Sequence, residues 1–302
     1  MISDPELKQI YSFARDLTCR AGEILLDQFH RPREIMYKSE NQTNPVTDAD
    51  RRVEDFLKSA IDKEFDGHAL LAEETESVDT IAKDFTWVID PLDGTVNFLN
   101  GLPVFGVSVG VLRKGKPVIG CIFLPSAQAT NGDLFHAISG GGAFRNDVPI
   151  SVLAESKPRN GAISVFPKFW MKKYRFKPEF SRSLGELRAL GSVAYELAMT
   201  ASGVIQYSFF GSPWAWDVSA GLVLVKEAQG MALFRERKSQ LWKEFQSYQR
   251  INGVIPSPKD INDWRPSWIC GNGDIIQFVA SRIDPKSAFA TKIDRMLELW
   301  RN

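Results

Sequence analysis

The stretch Trp87-Val-Ile-Asp-Pro-Leu-Asp-Gly-Thr95, continuing through Val-Asn-Phe98, ends an apolar run in two carboxylates and a glycine turn. Carboxylates placed this way suit a hard, oxygen-preferring cation such as Mg²⁺, which keeps several waters and binds through few protein ligands plus a substrate phosphate. The backbone N–H groups of Gly94 and Thr95 suit the phosphate itself, as a helix N-terminus does. Pro91 removes a ladder donor, so the strand should end at Asp90. Gly94 lets the main chain approach a ligand closely. The same residues could equally make an ordinary acidic turn, so the motif does not decide by itself.

Further carboxylates occupy comparable places. Glu73 follows the apolar run His68–Ala72, Asp217 opens a helix after Trp216, and Asp50 stands near the start of another. Alone, Glu73-Glu74 reads as a solvated loop, and Thr47, Asp48 and Asp50 read as helix caps favoured by the helix dipole. Gathered in one cleft, such acids would repel one another by several kcal/mol and would need cations. With two ions present, one lowers the pKa of an attacking water and the other stabilises a leaving oxygen.

The elements that must position these residues follow from periodicity. Leu7, Ile10, Ala14, Leu17, Ala21 and Ile24 predict an amphipathic helix over 5–29, with Asp4 as N-cap and Pro5 in the first turn. A second helix is expected from Arg51 to Phe65. Strands are expected at 68–72, 85–90, 104–112, 117–124 and 134–138, the third and fourth forming a hairpin across Arg113-Lys-Gly-Lys116. This half, residues 1–150, reads as α+β. Residues 151–302 alternate strand and helix: strands at 162–166 and 205–209, helices at 193–202 and 218–228, then a strand at 268–270 and helices at 274–281 and 286–301. Lys168–Arg182 reads as an irregular connection. With no linker-like segment between them, the halves should pack tightly as one unit, the first carrying most of the acids and the second Asp217 and the facing wall.

Composition narrows the function classes. The chain has 302 residues, 44% hydrophobic and 25% charged, with zero formal net charge, so no global field favours nucleic acid. No apolar run is long enough to span a bilayer. The N-terminus lacks the basic-then-apolar order of a secretory leader, and Cys19, Cys121 and Cys270 have no disulfide or metal spacing; a cytoplasmic location is expected. His30, His68 and His136 are scattered and read as packing or surface residues, and no Gly-x-Ser-x-Gly elbow exists.

The ordered set Pro45-Val-Thr-Asp-Ala-Asp50, Glu73-Glu74, Trp87 to Phe98, Gly140-Gly-Gly-Ala143, Leu190-Gly-Ser192 and Trp216-Asp217 closely resembles the inositol monophosphatase family of Mg²⁺-dependent, lithium-sensitive phosphatases, over roughly residues 7–230. The resemblance implies an αβαβα sandwich, usually dimeric, acting on a small phosphorylated metabolite with two or three Mg²⁺. It implies Glu73, Asp90, the Leu92 carbonyl, Asp93 and Asp217 as metal ligands, with Asp50 serving a weaker third ion and pairing with Thr95. It gives Glu73 and Thr95 the orientation of the attacking water, and brings Gly94, Thr95 and Ser192 to the substrate with Asp93.

Departures concern the substrate. Inositol-specific members carry a glutamate seven residues before the Trp-Asp aspartate, and here that position is Phe210. Phe210 could stack on substrate or belong to the core; with Gln206, Pro213, Trp214 and Trp216 it makes this wall aromatic and short of carboxylates. Inositol is therefore in doubt as substrate. Related members act on fructose 1,6-bisphosphate, 3′-phosphoadenosine 5′-phosphate or histidinol phosphate. Phe234–Gln249 lacks the usual glycine-rich hairpin, and the terminal helix is an addition. Two other classes stand apart. A haloacid-dehalogenase phosphatase would use Asp-x-Asp-Gly-Thr and an aspartyl-phosphate, but the spacing here is Asp-x-x-Asp. A non-catalytic metal- or phosphate-binding module would require lost ligands, and none of these positions is substituted.

Overall fold

The computed structural model describes residues 4–29, 36–37, 45–46, 48–75, 80–126, 132–181, 183–237, 239–248 and 254–286. His30, Thr47 and, past Lys286, the expected terminal helix lie outside them.

Helix α1 (Pro5–Phe29) buries Leu7, Ile10, Ala14, Leu17, Ala21 and Leu25, the stripe its sequence spacing lays on one face. Asp4 Oδ1 accepts from Leu7 N at 3.2 Å and caps it. Helix α2 (Asp48–Glu64) lies beside it and buries Val53, Leu57 and Ile61. Both cover one face of a seven-stranded sheet whose spatial order follows the chain. Its strands are β1 (Ala69–Ala72), β2 (Phe85–Asp93), β3 (Gly106–Arg113), β4 (Lys116–Leu124), β5 (Asp133–Ile138), β6 (Gly142–Arg145) and β7 (Val148–Pro149). Only β1 and β2 pair in parallel. A single-turn helix, α3 (Thr95–Leu99), leaves the end of β2.

The second sheet is mixed, in the order β9-β8-β10-β13-β11-β12. It comprises β8 (Ile163–Val165), β9 (Glu186–Arg188), β10 (Ile205–Phe210), β11 (Met231–Arg235), β12 (Lys243–Glu244) and β13 (Ser267–Gly271). Helices α4 (Val193–Ala201) and α5 (Ala215–Glu227) fill the space between the sheets, and α6 (Gly273–Ala280) packs on the outer face. The layers therefore run αβαβα, as the sequence led one to expect. Gly110 and Gly120 let α5 settle onto the first sheet: a Cβ on Gly120 would lie 2.2 Å from the Ala220 carbonyl oxygen.

Some boundaries differ from the sequence reading. Strand β2 does not stop at Pro91 but runs to Asp93, with its pairing to β3 shifted between Asp90 and Asp93. That irregularity tolerates the missing proline donor. Lys168–Arg182 contains two short helices, Lys168–Met171 and Pro178–Ser181, and a strand, Tyr174–Phe176, paired with Ile283–Pro285. The segment after Phe234 does form an antiparallel pair, β11 with β12, without glycines at its turn. No helix among the described residues is long and apolar enough to cross a membrane.

Candidate active site

Strand β2 is buried along its whole length and delivers Asp90 and Asp93, 1% and 8% exposed, to its C-terminal end. Asp90 Oδ1 accepts from Leu92 N at 3.0 Å, which folds the Pro91–Leu92 backbone around the carboxylate. Asp93 Oδ2 is engaged by Ser192 Oγ at 2.7 Å and Ala194 N at 2.5 Å. The carboxylate is thus fixed by the start of α4. Gly94 then turns the chain with φ 91°, and a Cβ there would lie 2.8 Å from the Val104 carbonyl oxygen, so only glycine fits without strain.

Thr95 opens α3. Its Oγ1 lies 3.1 Å from the Leu92 carbonyl oxygen and 3.4 Å from Asp50 Oδ1. A hydroxyl has one hydrogen, so it serves one of these acceptors at a time. Asp50 is 1% exposed in the first turn of α2, and its Oδ1 faces the Thr95 hydroxyl. Asp217 sits in the first turn of α5, where the dipole favours a carboxylate. Its Oδ2 accepts from Trp214 N at 2.7 Å.

Glu54, 6% exposed, was not singled out from sequence. It accepts from Glu74 N at 2.8 Å and from the Thr75 hydroxyl at 2.9 Å, and so holds the loop that carries Glu73. Asn97 was noted only as part of a motif. Its amide donates to the carbonyls of Val104 and Leu190, each at 2.7 Å, tying α3 to the Leu190-Gly-Ser192 turn. The signal for Glu54 was faint: it lies one helical turn after Asp50, on the same face.

The acids share one field. Burial first, and then Glu73, Asp93, Asp217 and Asp50, push the Asp90 carboxyl well above the usual range. Burial and then Asp93 do the same to Asp217, against the Trp214 N–H and the more distant Arg265. Burial raises Asp93 to about 6 against the hydrogen bonds from Ser192 and the α4 backbone. Carboxyls raised by one another are what a bound cation relieves. Among the described residues no group of three or more Asp, Glu, His or Cys side chains is already placed to hold a metal ion. The donors that the strand ends and helix starts offer are all oxygen, a set that suits Mg²⁺ with its retained waters better than a structural zinc.

Two residues expected at the substrate, Phe210 and Ser192, are buried. Phe210 is 4% exposed and belongs to the core between the sheets, opposite Trp268 in the β10–β13 ladder. Its neighbours in β10 are buried on both faces of the strand. Ser192 is 1% exposed, caps α4 by accepting from Tyr195 N at 3.2 Å, and donates to Asp93; it positions a carboxylate. Trp214, 36% exposed and stacked on Trp216 with centroids 5.0 Å apart, is the aromatic that faces solvent beside Asp217.

The arrangement has close counterparts. The model of the inositol monophosphatase family matches residues 6–263. An inositol-1-monophosphatase of Mesorhizobium japonicum is 33% identical over 216 residues, covering 70% of this chain and 80% of that protein. A quinic acid degradation cluster protein of Neurospora crassa is 32% identical over 272 residues, covering 75% and 78%. The structure of an IMPase from Thermotoga maritima superimposes with a TM-score of 0.67 at 26% identity, over 89% of this chain and 94% of that one. The chain belongs to the inositol monophosphatase family. It is a phosphatase, a phosphoric monoester hydrolase.

Proposed function

We propose that this enzyme hydrolyses a small phosphomonoester with Mg²⁺ by direct attack of water, without a phosphorylated enzyme intermediate. The observation that carries the reading is the placement of the buried Asp90 and Asp93 at the end of β2 together with Asp217 at the start of α5, close enough that the neighbouring acids add to burial in raising the Asp90 and Asp217 carboxyls. Glu73, Asp90, the Leu92 carbonyl, Asp93 and Asp217 would hold two ions, and Asp50 would add a weaker third. When bound, Mg²⁺ supplies an acidified water and charge neutralisation at the leaving oxygen. The N–H groups of Gly94 and Thr95, at the turn into α3, bind phosphate oxygens. Glu73 and the Thr95 hydroxyl orient the attacking water, with Asp50 as the alternative acceptor for the Thr95 hydrogen. Glu54 and Asn97 keep the two loops in place, and the buried walls exclude bulk water.

The family reading also brings lithium sensitivity, a homodimer and a cytoplasmic location. The substrate is less bound to the family name. With Phe210 in the core and no glutamate at that position, nothing there reads ring hydroxyls, so inositol 1-phosphate should not be strongly preferred. Phosphate release from sugar, polyol, nucleotide and amino-alcohol monophosphates, with and without Mg²⁺ and Li⁺, tests both points. Turnover without divalent metal, or trapping of an aspartyl-phosphate at Asp90, would overturn the mechanism; strong selectivity for inositol 1-phosphate would overturn the substrate reading.

A further inference from the structure

Arg265 lies between the short helix Pro258–Asp263 and β13, outside the acidic motifs. Its guanidinium carbon sits 3.5 Å from the centroid of the Trp214 ring, and Trp214 in turn stacks on Trp216 at an interplanar angle of 16°. Its Nη2 donates to the Ser212 carbonyl at 2.7 Å, and Ser212 Oγ donates back to the Arg265 carbonyl at 2.9 Å. The side chain is therefore latched to the loop that leads into Asp217. A planar cation fixed over an indole face keeps its fork pre-organised, unlike a free surface arginine.

What the latch leaves over is more informative. Arg265 Nε is buried without a hydrogen-bond partner, and so is Nε1 of Trp216, the ring stacked on Trp214. Both groups are donors only. An orphaned buried donor costs about 1–3 kcal/mol, and here two belong to groups packed on one exposed ring beside the acids. Burial lowers the proton affinity of the guanidinium while Asp217 raises it, which places this cation within the field of the cluster. A cleft lined with carboxylates repels any anion except where metal or a fixed cation receives it.

We propose that Arg265, held by Trp214 and Ser212, is a specificity-determining residue that receives a second oxyanion, carboxylate or phosphate, carried by the alcohol part of the substrate. The inference rests on the phosphatase reading of the site and deepens it. The reactive phosphate meets the Gly94–Thr95 turn, and the far end of the substrate meets the guanidinium edge that Ser212 does not hold, whose N–H groups donate to an oxyanion. The substrate class is then a phosphorylated hydroxy acid or a bisphosphate, not a neutral polyol phosphate.

Matched substrates test this in the full-length enzyme with Mg²⁺. Glycerol 2-phosphate against 2-phosphoglycerate differs by a carboxylate, and fructose 6-phosphate against fructose 1,6-bisphosphate by a second phosphate; whichever pair responds distinguishes the two oxyanions. The wild type is expected to favour one doubly anionic partner by about tenfold or more in kcat/KM, the worth of one charge-assisted contact. Arg265→Gln should erase that preference mainly through KM, its loss on the anionic substrate exceeding that on the neutral one at least tenfold. Arg265→Lys, which keeps charge without the fork, should retain part of it and guards against misfolding of the glutamine variant. Equal use of both partners by the wild type, or an equal loss on both in Arg265→Gln, would overturn the role of Arg265 while leaving the phosphatase reading intact. Turnover of neither partner would remove that reading and this inference with it.

Discussion

Ser192 Oγ donates to Asp93 Oδ2 at 2.7 Å across 99 positions of sequence, and the same carboxylate oxygen accepts from Ala194 N at 2.5 Å. A residue of the first sheet is thereby aimed by a helix of the middle layer. Ser192→Ala removes a donor and a helix cap together, an expected loss of about 1–3 kcal/mol. Its sharper consequence is functional. With one oxygen of Asp93 loosened, the Mg²⁺ concentration for half-maximal phosphate release should rise several-fold, with kcat changing less. Ser192→Thr keeps the hydroxyl and should stay near the wild type. An unchanged Mg²⁺ dependence in the alanine variant would dismiss the positioning role.

Asp90→Asn and Asp217→Asn should each abolish Mg²⁺-dependent turnover by at least about a hundredfold, as expected when a group acting on transition-state charge is lost. Each also removes one charge from a mutually repelling buried set. Thermal melting in EDTA should therefore be no lower than that of the wild type. Near-normal activity in either variant would sink the assignment of these residues.

Gly120 faces the Ala220 carbonyl with no room for a methyl group, whereas a Cβ on Gly140 would meet nothing within 4 Å. Gly120→Ala should lower the urea midpoint by the equivalent of about 1–3 kcal/mol or more. Gly140→Ala pays only for its positive φ of 78°, about 1 kcal/mol. Similar midpoints for the two would show that α5 can lift from the sheet freely.

His136 is 3% exposed, with Nδ1 2.5 Å from the Tyr11 hydroxyl and Nε2 2.5 Å from the Asn146 carbonyl oxygen. The carbonyl can only accept, so Nε2 carries the hydrogen and Nδ1 accepts from Tyr11. Burial lowers its pKa below the model-peptide value of 6.5, against the Asn146 hydrogen bond. The neutral ring is the one the fold holds, so this contribution is present above about pH 6.5 and lost as the pH falls through the lower folded value. Urea midpoints of the wild type should decline over that range more steeply than those of His136→Gln; parallel curves would contradict it.

Much of the site was legible because its chemistry is local. Asp90, Asp93, Gly94 and Thr95 share one strand end, and the amphipathic stripes of α1 and α2 declare their buried faces in the sequence. The failures have a common physical form. The β2 boundary was misjudged because Pro91 forbids a regular ladder but not a shifted one. Strands Tyr174–Phe176 and β9 are three residues each and exist only through their partners. Glu54, Asn97 and Arg265 act across the fold on backbone groups or rings that no neighbouring residue announces. Phe210 was ambiguous because an aromatic near a site and an aromatic in a core have the same sequence signature.

Glu54 and Asp50 stand on one face of a single helix, and between them they grip the Glu73 loop and face Thr95. Helix α2 therefore works as a lever with two attachment points. Any rocking of it against β2 moves Glu73 and the acidic neighbour of Thr95 in concert, while Asp90 and Asp93 stay with the sheet. Precision at this centre is thus a property of how one helix is seated.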